Sequence, residues 1–452
     1  MTASPFRVIV VGGGPNGLTA AYALYYAGID FVILEQRSNV VEDVGASLVL
    51  NPQNLRVFHQ FGLLDKLKEI GVPLLHNAKG FTANAKKFKR SYALGLLQEN
   101  HGSALLAFHR AHLIEALYEG LPEDAKARYL LGKKLVDIIT TSTGVEVTCT
   151  DSTSYSGSIV IGADGIYSKT RSIMRRLALE ADPALASTWD PEFPFTRHYK
   201  CLWASFPRPS SPGANYETHD HDRSAMFLTG RDKGWIFLYE KLPESSTERV
   251  FYDEKDINSF TESFADWSLT ETLKVRDVLS GSVTAGMTNL EEGIAKNTSW
   301  GGRIVLVGDA YHKFTPNAGL GFNNGVQDIV SLCNQLKSLV ADHDSSSGAD
   351  PDVAALQDAF EQYQGERREA LEKDYKQSAD VTRLHTWANR IYHFLARHVL
   401  SLDFVQRLLV NYSTASSVRK GLVLDYISAD EPFSGKVPWE HPLRILPENK
   451  DK

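Results

Sequence analysis

Gly12, Gly14 and Gly17 lie in "VVGGGPNGLTAAYAL" (residues 10–24), after a β-branched apolar run and before an alanine-rich segment. A G-x-G-x-x-G at such a junction marks a strand-turn-helix whose helix N-terminus holds a pyrophosphate. Gly12 permits the tight turn, Gly14 lets the backbone approach the phosphates, and Gly17 lets the helix pack closely on the strand. The free amides and dipole at the helix start then stabilise the phosphate charge. Glu35 follows about 20 residues on, where a carboxylate accepts hydrogen bonds from ribose hydroxyls. It would repel a 2′-phosphate, so the resident ligand carries the unphosphorylated ribose of NAD or FAD, and NADPH does not bind at this turn.

Two further stretches decide between those ligands. "VIGADGIYSKTR" (160–171) ends an apolar strand with Asp164 and Gly165, then Ser168 and Arg171. "RIVLVGDAYHKFTPNAGLGFNNGVQDIVSL" (303–332) runs from a strand into Gly308 and Asp309, then through a glycine-bearing turn, Gly319 to Gly325, that opens another helix. A second helix start offers a second set of amides. One ligand reaches both if it is long and ends in an electron-accepting ring, which describes FAD. No H-E-x-x-H, no C-x-x-C and no cluster of carboxylates with His points to a metal.

The elements that must position these residues are legible in outline. "FRVIVVGGG" reads as a buried parallel strand, "NGLTAAYALYYAG" as the helix after it, closed by Gly28, and "DFVILEQR" as the next strand of a βαβ unit. "RHYKCLWASF" (197–206) and "SAMFLTGRDKGWIFLYEKL" (224–242) alternate with period two, the latter around a hairpin turn of Asp232, Lys233 and Gly234. Trp203, Phe227, Trp235, Phe237 and Tyr239 are placed to line one face of that sheet. The fold class is therefore α/β: a Rossmann-like FAD-binding domain with an inserted, mostly antiparallel sheet and a C-terminal helical region. The expected division is 1–180 and 296–385 for the FAD-binding domain, 181–295 for the substrate sheet, and 386–452 for the C-terminal region.

"DHDSSSGADPD" (342–352) reads as a solvated loop and the tail from residue 432 as irregular. Helix is expected from after Asp352 to about residue 412, with Ile391, Phe394, Leu395, Leu402, Val405 and Leu409 recurring at helical spacing. A helix packed on the main domain is the expectation, with an interfacial membrane helix left open.

Composition narrows the class of partner. The 452 residues carry a net charge of −7, without a basic block, which argues against nucleic acid. Cys149, Cys201 and Cys333 are too scattered for a disulfide framework. The strand near Phe6 leaves no room for a signal peptide, and no stretch has the roughly 18 apolar residues of a membrane span. A cytoplasmic protein is expected, with peripheral contact to an intracellular membrane left open.

The three stretches, in this order, resemble the G-x-G-x-x-G, D-G and G-D motifs of the class A flavoprotein monooxygenases, the fold family of para-hydroxybenzoate hydroxylase. The resemblance spans about residues 6 to 385. "VGASLVLNPQNLRVFHQFGLLDKL" (44–67) and "FHRAHLIEALYEGL" (108–121) are similar to the fungal branch that oxidises isoprenoid and indole-alkaloid intermediates. The resemblance implies FAD as cofactor, NADPH as a transient co-substrate, and reaction of reduced flavin with O2 to a C4a-hydroperoxide that epoxidises or hydroxylates a large apolar isoprenoid or indole-alkaloid intermediate. It implies that Glu35 binds the adenosine ribose, Arg110 lies near the ribityl and phosphate region, and Asp309 accepts from the ribityl chain or pyrophosphate. Backbone amides of Gly319, Leu320, Gly321 and Phe322 would face the flavin N1 and C2 carbonyl edge, Ala46 would pass beneath the cofactor, and Asp164 belongs to a motif tied to FAD and NADPH. Arg197 and Tyr199 stand where related enzymes place a catalytic arginine or tyrosine. A buried Arg197 could hold a phenolate or give a proton to an opening epoxide; its loss is expected to lower turnover without changing FAD content. Competing readings are a salicylate-type hydroxylase of aromatic acids, a flavin-dependent reductase of isoprenyl chains, and a cofactor-free prenyl-protein escort.

Overall fold

The computed structural model describes residues 6–74, 78–346 and 350–445. Its first strand, β1 (Arg7–Val11), runs parallel to β2 (Asp30–Leu34) on one side and to Ile159–Gly162 on the other. Both faces of β1 are covered, which is why it reads as an unbroken apolar run. The six-stranded sheet is ordered Ser299–Trp300, Ile304–Leu306, Ile159–Gly162, β1, β2, Tyr129–Leu130, and the edge strand Ser299–Trp300 is antiparallel to its neighbour. Helix α1 (Pro15–Ala27) starts on Pro15, whose missing N–H costs nothing in a first turn. It stops at Gly28 in the left-handed conformation, with the Gly28 N–H returned to Tyr25 O. Val8, Val10, Leu18, Phe31, Ile33, Val307, Val326 and Ile329 pack together on one side of this sheet. Ile9, Val11, Leu34, Val160 and Leu306 pack on the other.

A second sheet of eight strands runs His312–Lys313, Thr284–Ile294, Thr196–Pro207, Lys233–Ser246, Arg223–Thr229, Asn215–Asp220, Ala78–Thr82, Lys87–Ser91. Its pairings are antiparallel except that of Asn215–Asp220 with Ala78–Thr82. Period-two alternation divides its side chains. Tyr199, Cys201, Met226, Leu228, Trp235, Phe237, Tyr239 and Leu290, with Trp203 at the margin, form one face, which meets Val49 and Ala107 of the FAD lobe. Phe227 is on the opposite face with Leu202, Phe206, Ile236 and Leu238. This corrects the single aromatic stripe. The hairpin turn spans Gly230 to Asp232, while Lys233 and Gly234 already pair within the strand, and that register sets Phe227 opposite Ile236.

Two more expectations are corrected. The helix Gly321–Ser346 continues into the stretch read as a loop from residue 342; residues 347–349 of that loop and 446–452 of the tail lie outside the described residues. From Asp352 the helix Val353–His385 ends at Thr386, and Trp387 takes a φ of 38° before a further helical hairpin begins at Arg390. In that hairpin Ile391, Phe394, Leu402 and Leu409 are exposed and not packed on the main domain. Residues 432–445 are irregular, as the prolines imply.

Candidate active site

Each glycine of the first turn has a different neighbourhood. Gly12 has φ +104°, and a Cβ there would lie 2.5 Å from Ala163 O. A Cβ on Gly17 would lie 1.9 Å from Gly12 O, so helix and turn touch backbone to backbone. Gly14 is the exception: a Cβ would meet nothing within 4 Å. The turn is thus closed toward the protein at Gly12 and Gly17 and open at Gly14, where α1 begins without a side-chain cap. Glu35 is buried at the end of β2, accepting from Gly13 N at 2.7 Å and Arg37 N at 2.8 Å.

The second turn is brought to the first by a residue that the sequence reading passed over. Asn16, an unspecified position within G-x-G-x-x-G, inserts its amide between Gly308 and Gly325: a Cβ at either would fall within 2.5 Å of it. Asn16 Oδ1 is buried without a hydrogen-bond partner among the described residues. Gly319 takes the left-handed conformation, φ +66°, closing the short turn Pro316–Ala318, and the helix Gly321–Ser346 starts two residues later. Asn323 Nδ2 in that helix donates to Gly319 O and to Val49 O, both at 2.7 Å, fixing the turn against β3 (Ser47–Leu50). At Gly321 the nearest atom to an added Cβ is Asp309 Oδ1 at 3.8 Å, so this turn too is open.

Arg110 lies between the turns. Strand pairing of β3 with Leu106–His109 draws Arg110 N to Ala46 O at 3.0 Å. Its half-buried guanidinium has no hydrogen-bond or ion-pair partner among the described residues. Burial and Arg37 lower its pKa, while Asp309, Glu35 and Glu42 oppose them. One cation therefore feels both Glu35 of the first turn and Asp309 of the second. Asp309 itself is engaged by Lys313, an ion pair that neutralises the carboxylate expected to accept from a ligand. Burial lowers the Lys313 pKa, but Asp309 and Glu291 overcome it, leaving the ammonium above its ordinary value.

The D-G stretch has a structural job. Asp164 accepts from Ser168 Oγ at 2.5 Å and from Thr170 N and Oγ1 at 2.9 Å, and burial raises its pKa. Ser168 caps the helix Lys169–Ala181, and Arg171 from that helix donates to Ala310 O at 2.7 Å, tying the D-G turn to the G-D turn.

Arg197 is buried on the expected strand but is already engaged. Its buried guanidinium pairs with Glu291 at 3.1 Å, donates to Thr247 O and covers the Phe193 ring. Tyr167 from the D-G stretch donates to the same Glu291 oxygen at 2.8 Å. Arg197 is thus held in a buried cross-strand pair within the sheet, and Tyr167 ties that pair to the D-G stretch. Tyr199 is on that face, but its hydroxyl is 3.1 Å from Thr386 Oγ1, and burial raises its pKa. His109 was also missed: it stacks on Trp235 and pairs at 2.9 Å with Asp43, which Lys233 contacts as well, clamping the loop before Ala46 onto the sheet. Burial opposes ionisation of Asp43, yet Lys233, the Gly45 amide and His109 hold its carboxyl below the ordinary range.

The expectation of no His–carboxylate cluster is corrected at the far end of the sheet. Glu217, His219 and His385 place ligating atoms within 4.8 Å of one another. Lys89 Nζ lies 3.6 Å from Glu217 Oε2. Burial drives the His385 pKa down to about 3 and lowers that of His219. Burial also opposes ionisation of Glu217, but His385, Lys89 and His219 overcome it. The Lys89 ammonium balances the single carboxylate, so the cluster is charge-neutral without an ion.

Two open glycine turns, joined by one unpartnered arginine and flanked by an apolar sheet face, define a dinucleotide-binding oxidoreductase. Residues 6–187 and 218–353 match the FAD binding domain family, and the chain belongs to it. It is 33% identical over 430 residues to the FAD-dependent monooxygenase ausM of Penicillium brasilianum, covering 92% of this chain and 87% of that one. It is 47% identical over 226 residues to the FAD-dependent monooxygenase SAT1 of Stachybotrys chartarum, covering 49% and 74%. Among solved structures, Klebsiella pneumoniae HpxO complexed with FAD and uric acid superposes with a TM-score of 0.69 at 19% identity, over 91% of this chain and 96% of that chain. The chain is an FAD-dependent monooxygenase with the para-hydroxybenzoate hydroxylase fold. The residues fit FAD: space is open over Gly14 and Gly321, the buried Asn16 Oδ1 is unpartnered, and the free Arg110 guanidinium feels both Glu35 and Asp309.

Proposed function

We propose that the chain holds FAD extended from Glu35 to Phe322 and, with NADPH as transient reductant, inserts one atom of O2 into a large apolar isoprenoid or indole-alkaloid intermediate by epoxidation or hydroxylation. The observation that carries this reading is the Arg110 guanidinium, charged, half-buried and unpartnered between Glu35 and Asp309. Glu35 would accept ribose hydroxyls on lone pairs left over by the Gly13 and Arg37 amides. The amides past Gly14 and the Arg110 guanidinium would meet the pyrophosphate. Asp309, with Lys313 beside it, would face the ribityl chain. The amides of Gly319, Leu320, Gly321 and Phe322 would face the ring, with their helix dipole stabilising negative charge at that edge, and Ala46 would pass beneath.

Bound FAD supplies hydride acceptance from NADPH and activation of O2. The protein's own part is to order the reactants and exclude water. Met226, Leu228, Phe237 and Trp203 with Val49 present an apolar wall next to the second turn. Asp164, Arg171, Arg197 and Glu291 act as positioning residues: Arg171 ties the D-G turn to the G-D turn, and Glu291, paired with Arg197, holds Tyr167 of the D-G stretch to the sheet. The division at 1–180, 181–295, 296–385 and 386–452 belongs to this proposal, the sheet region supplying the substrate wall.

The pairing of Arg197 with Glu291 favours an apolar substrate over an aromatic acid, because it removes the cation that would anchor a carboxylate. The test is NADPH oxidation and O2 uptake by the purified holoenzyme against aromatic acids, prenylated indoles and terpenoids. Stimulation by the last two groups supports the reading; stimulation only by aromatic acids overturns the substrate class. A colourless protein that binds no FAD would point to the escort reading instead.

A further inference from the structure

The C-terminal hairpin carries an apolar surface on the wrong side for packing. Helix Arg390–Phe394 continues through a π-turn to Val399, and helix Asp403–Leu409 through another to Thr414. Ala396, Gln406 and Val410 point inward: Val410 packs on Leu96 and Leu97, and Gln406 Nε2 donates to Arg90 O. The outward side is built from large apolar residues. Ile391 is 70% exposed, Phe394 57%, Phe404 68%, Leu408 57% and Tyr412 77%. Phe404, Leu408 and Tyr412 follow one another at i, i+4 and i+8, so they form a single stripe and are not scattered surface residues. Arg390, His398 and Arg407 are exposed beside it and Arg397 is half-buried, while Asp403 is the one acidic residue from 390 to 412.

We propose that this hairpin docks the enzyme on the surface of an anionic phospholipid membrane. The stripe would enter the boundary between headgroups and acyl chains, and the arginines would meet lipid phosphates. The charge pattern selects this occupant. A second copy using the same face would set its arginines against those of the first, at a cost in like-charge repulsion. The chain as a whole carries −7, which an anionic surface repels, so a basic apolar segment fixes which side approaches. No helix among the described residues is long and apolar enough to cross a membrane, so the hairpin lies on the bilayer. This surface is independent of the substrate reading.

The test is flotation of the full-length holoenzyme with phosphatidylcholine vesicles, with and without phosphatidylserine. The wild type is expected to float with the anionic vesicles at least about tenfold more than with neutral ones, and to be released by high salt. The variant Phe404→Glu with Leu408→Glu is expected to stay in solution with unchanged Tm and FAD content. A wild type that stays in solution overturns the proposal, and equal flotation with neutral vesicles overturns the anionic assignment. A concentration-dependent dimer abolished by the same variant overturns the membrane in favour of a second copy.

Discussion

The two glycine turns do the same work by different means. The first is fixed by backbone contacts alone, Gly17 on Gly12 O and Gly12 on Ala163 O of the adjoining strand end, and its motif is complete within six residues. The second is held from outside, by Asn16 wedged against Gly308 and Gly325, by Asn323 reaching Val49, and by Lys313 on Asp309, with the Glu291 charge acting on that lysine. A locally determined site shows itself as a sequence motif, whereas one assembled by distant partners shows only its glycines. The contrast predicts that equivalent substitutions differ sharply in cost.

The largest effect belongs to the first turn. Gly17→Ala puts a Cβ on an immovable carbonyl, and loss of soluble protein or of more than about 4 kcal/mol in urea unfolding is expected. Near-normal stability would break the contrast. Next is the support of the second turn: Glu291→Gln leaves the buried Arg197 unpaired and is expected to cost about 3–5 kcal/mol, with Tm falling before any specific loss of turnover per folded enzyme. A loss of turnover at full stability would return Arg197 to a catalytic role. Gly325→Ala strikes a side chain, so about 1–3 kcal/mol is expected, recovered by adding Asn16→Ala. No recovery would mean that the two turns are not coupled through Asn16.

The smallest effect comes from outside both turns. His385 titrates at about 3 when folded against 6.5 when free, so the unfolded chain binds the extra proton between those values. Stability therefore falls as pH drops through 6.5, by about 1 kcal/mol at pH 5.5. His385→Asn is expected to flatten that part of the Tm–pH curve, and an unchanged curve would show that His385 is already charged in the fold.

The same contrast explains what was legible. β1, α1, Gly28 and β2 follow from contiguous patterns, and so do the strands of the second sheet. Phe227 was misplaced because alternation gives the period and not the phase: the observed register sets Phe227 opposite Ile236, and a register odd by one residue exchanges the faces of the whole strand. Arg197 was assigned to the substrate because its partner Glu291 is 94 residues away. Asn16 occupied a position that the motif leaves unspecified. At the C-terminal hairpin, helical spacing identified an apolar repeat but could not say whether anything covers it.

The central claim is that both turns bind one FAD, and the direct measurement is FAD affinity, by quenching of flavin fluorescence, for Gly14→Ala, Gly321→Ala and the double variant, with stability measured alongside. Neither Cβ meets a protein atom closer than 3.8 Å, so both variants are expected to fold with unchanged urea midpoints. The prediction is one FAD per wild-type chain, weaker binding in each variant and weakest in the double. Wild-type affinity in Gly321→Ala, or two ligand molecules per chain, would contradict it.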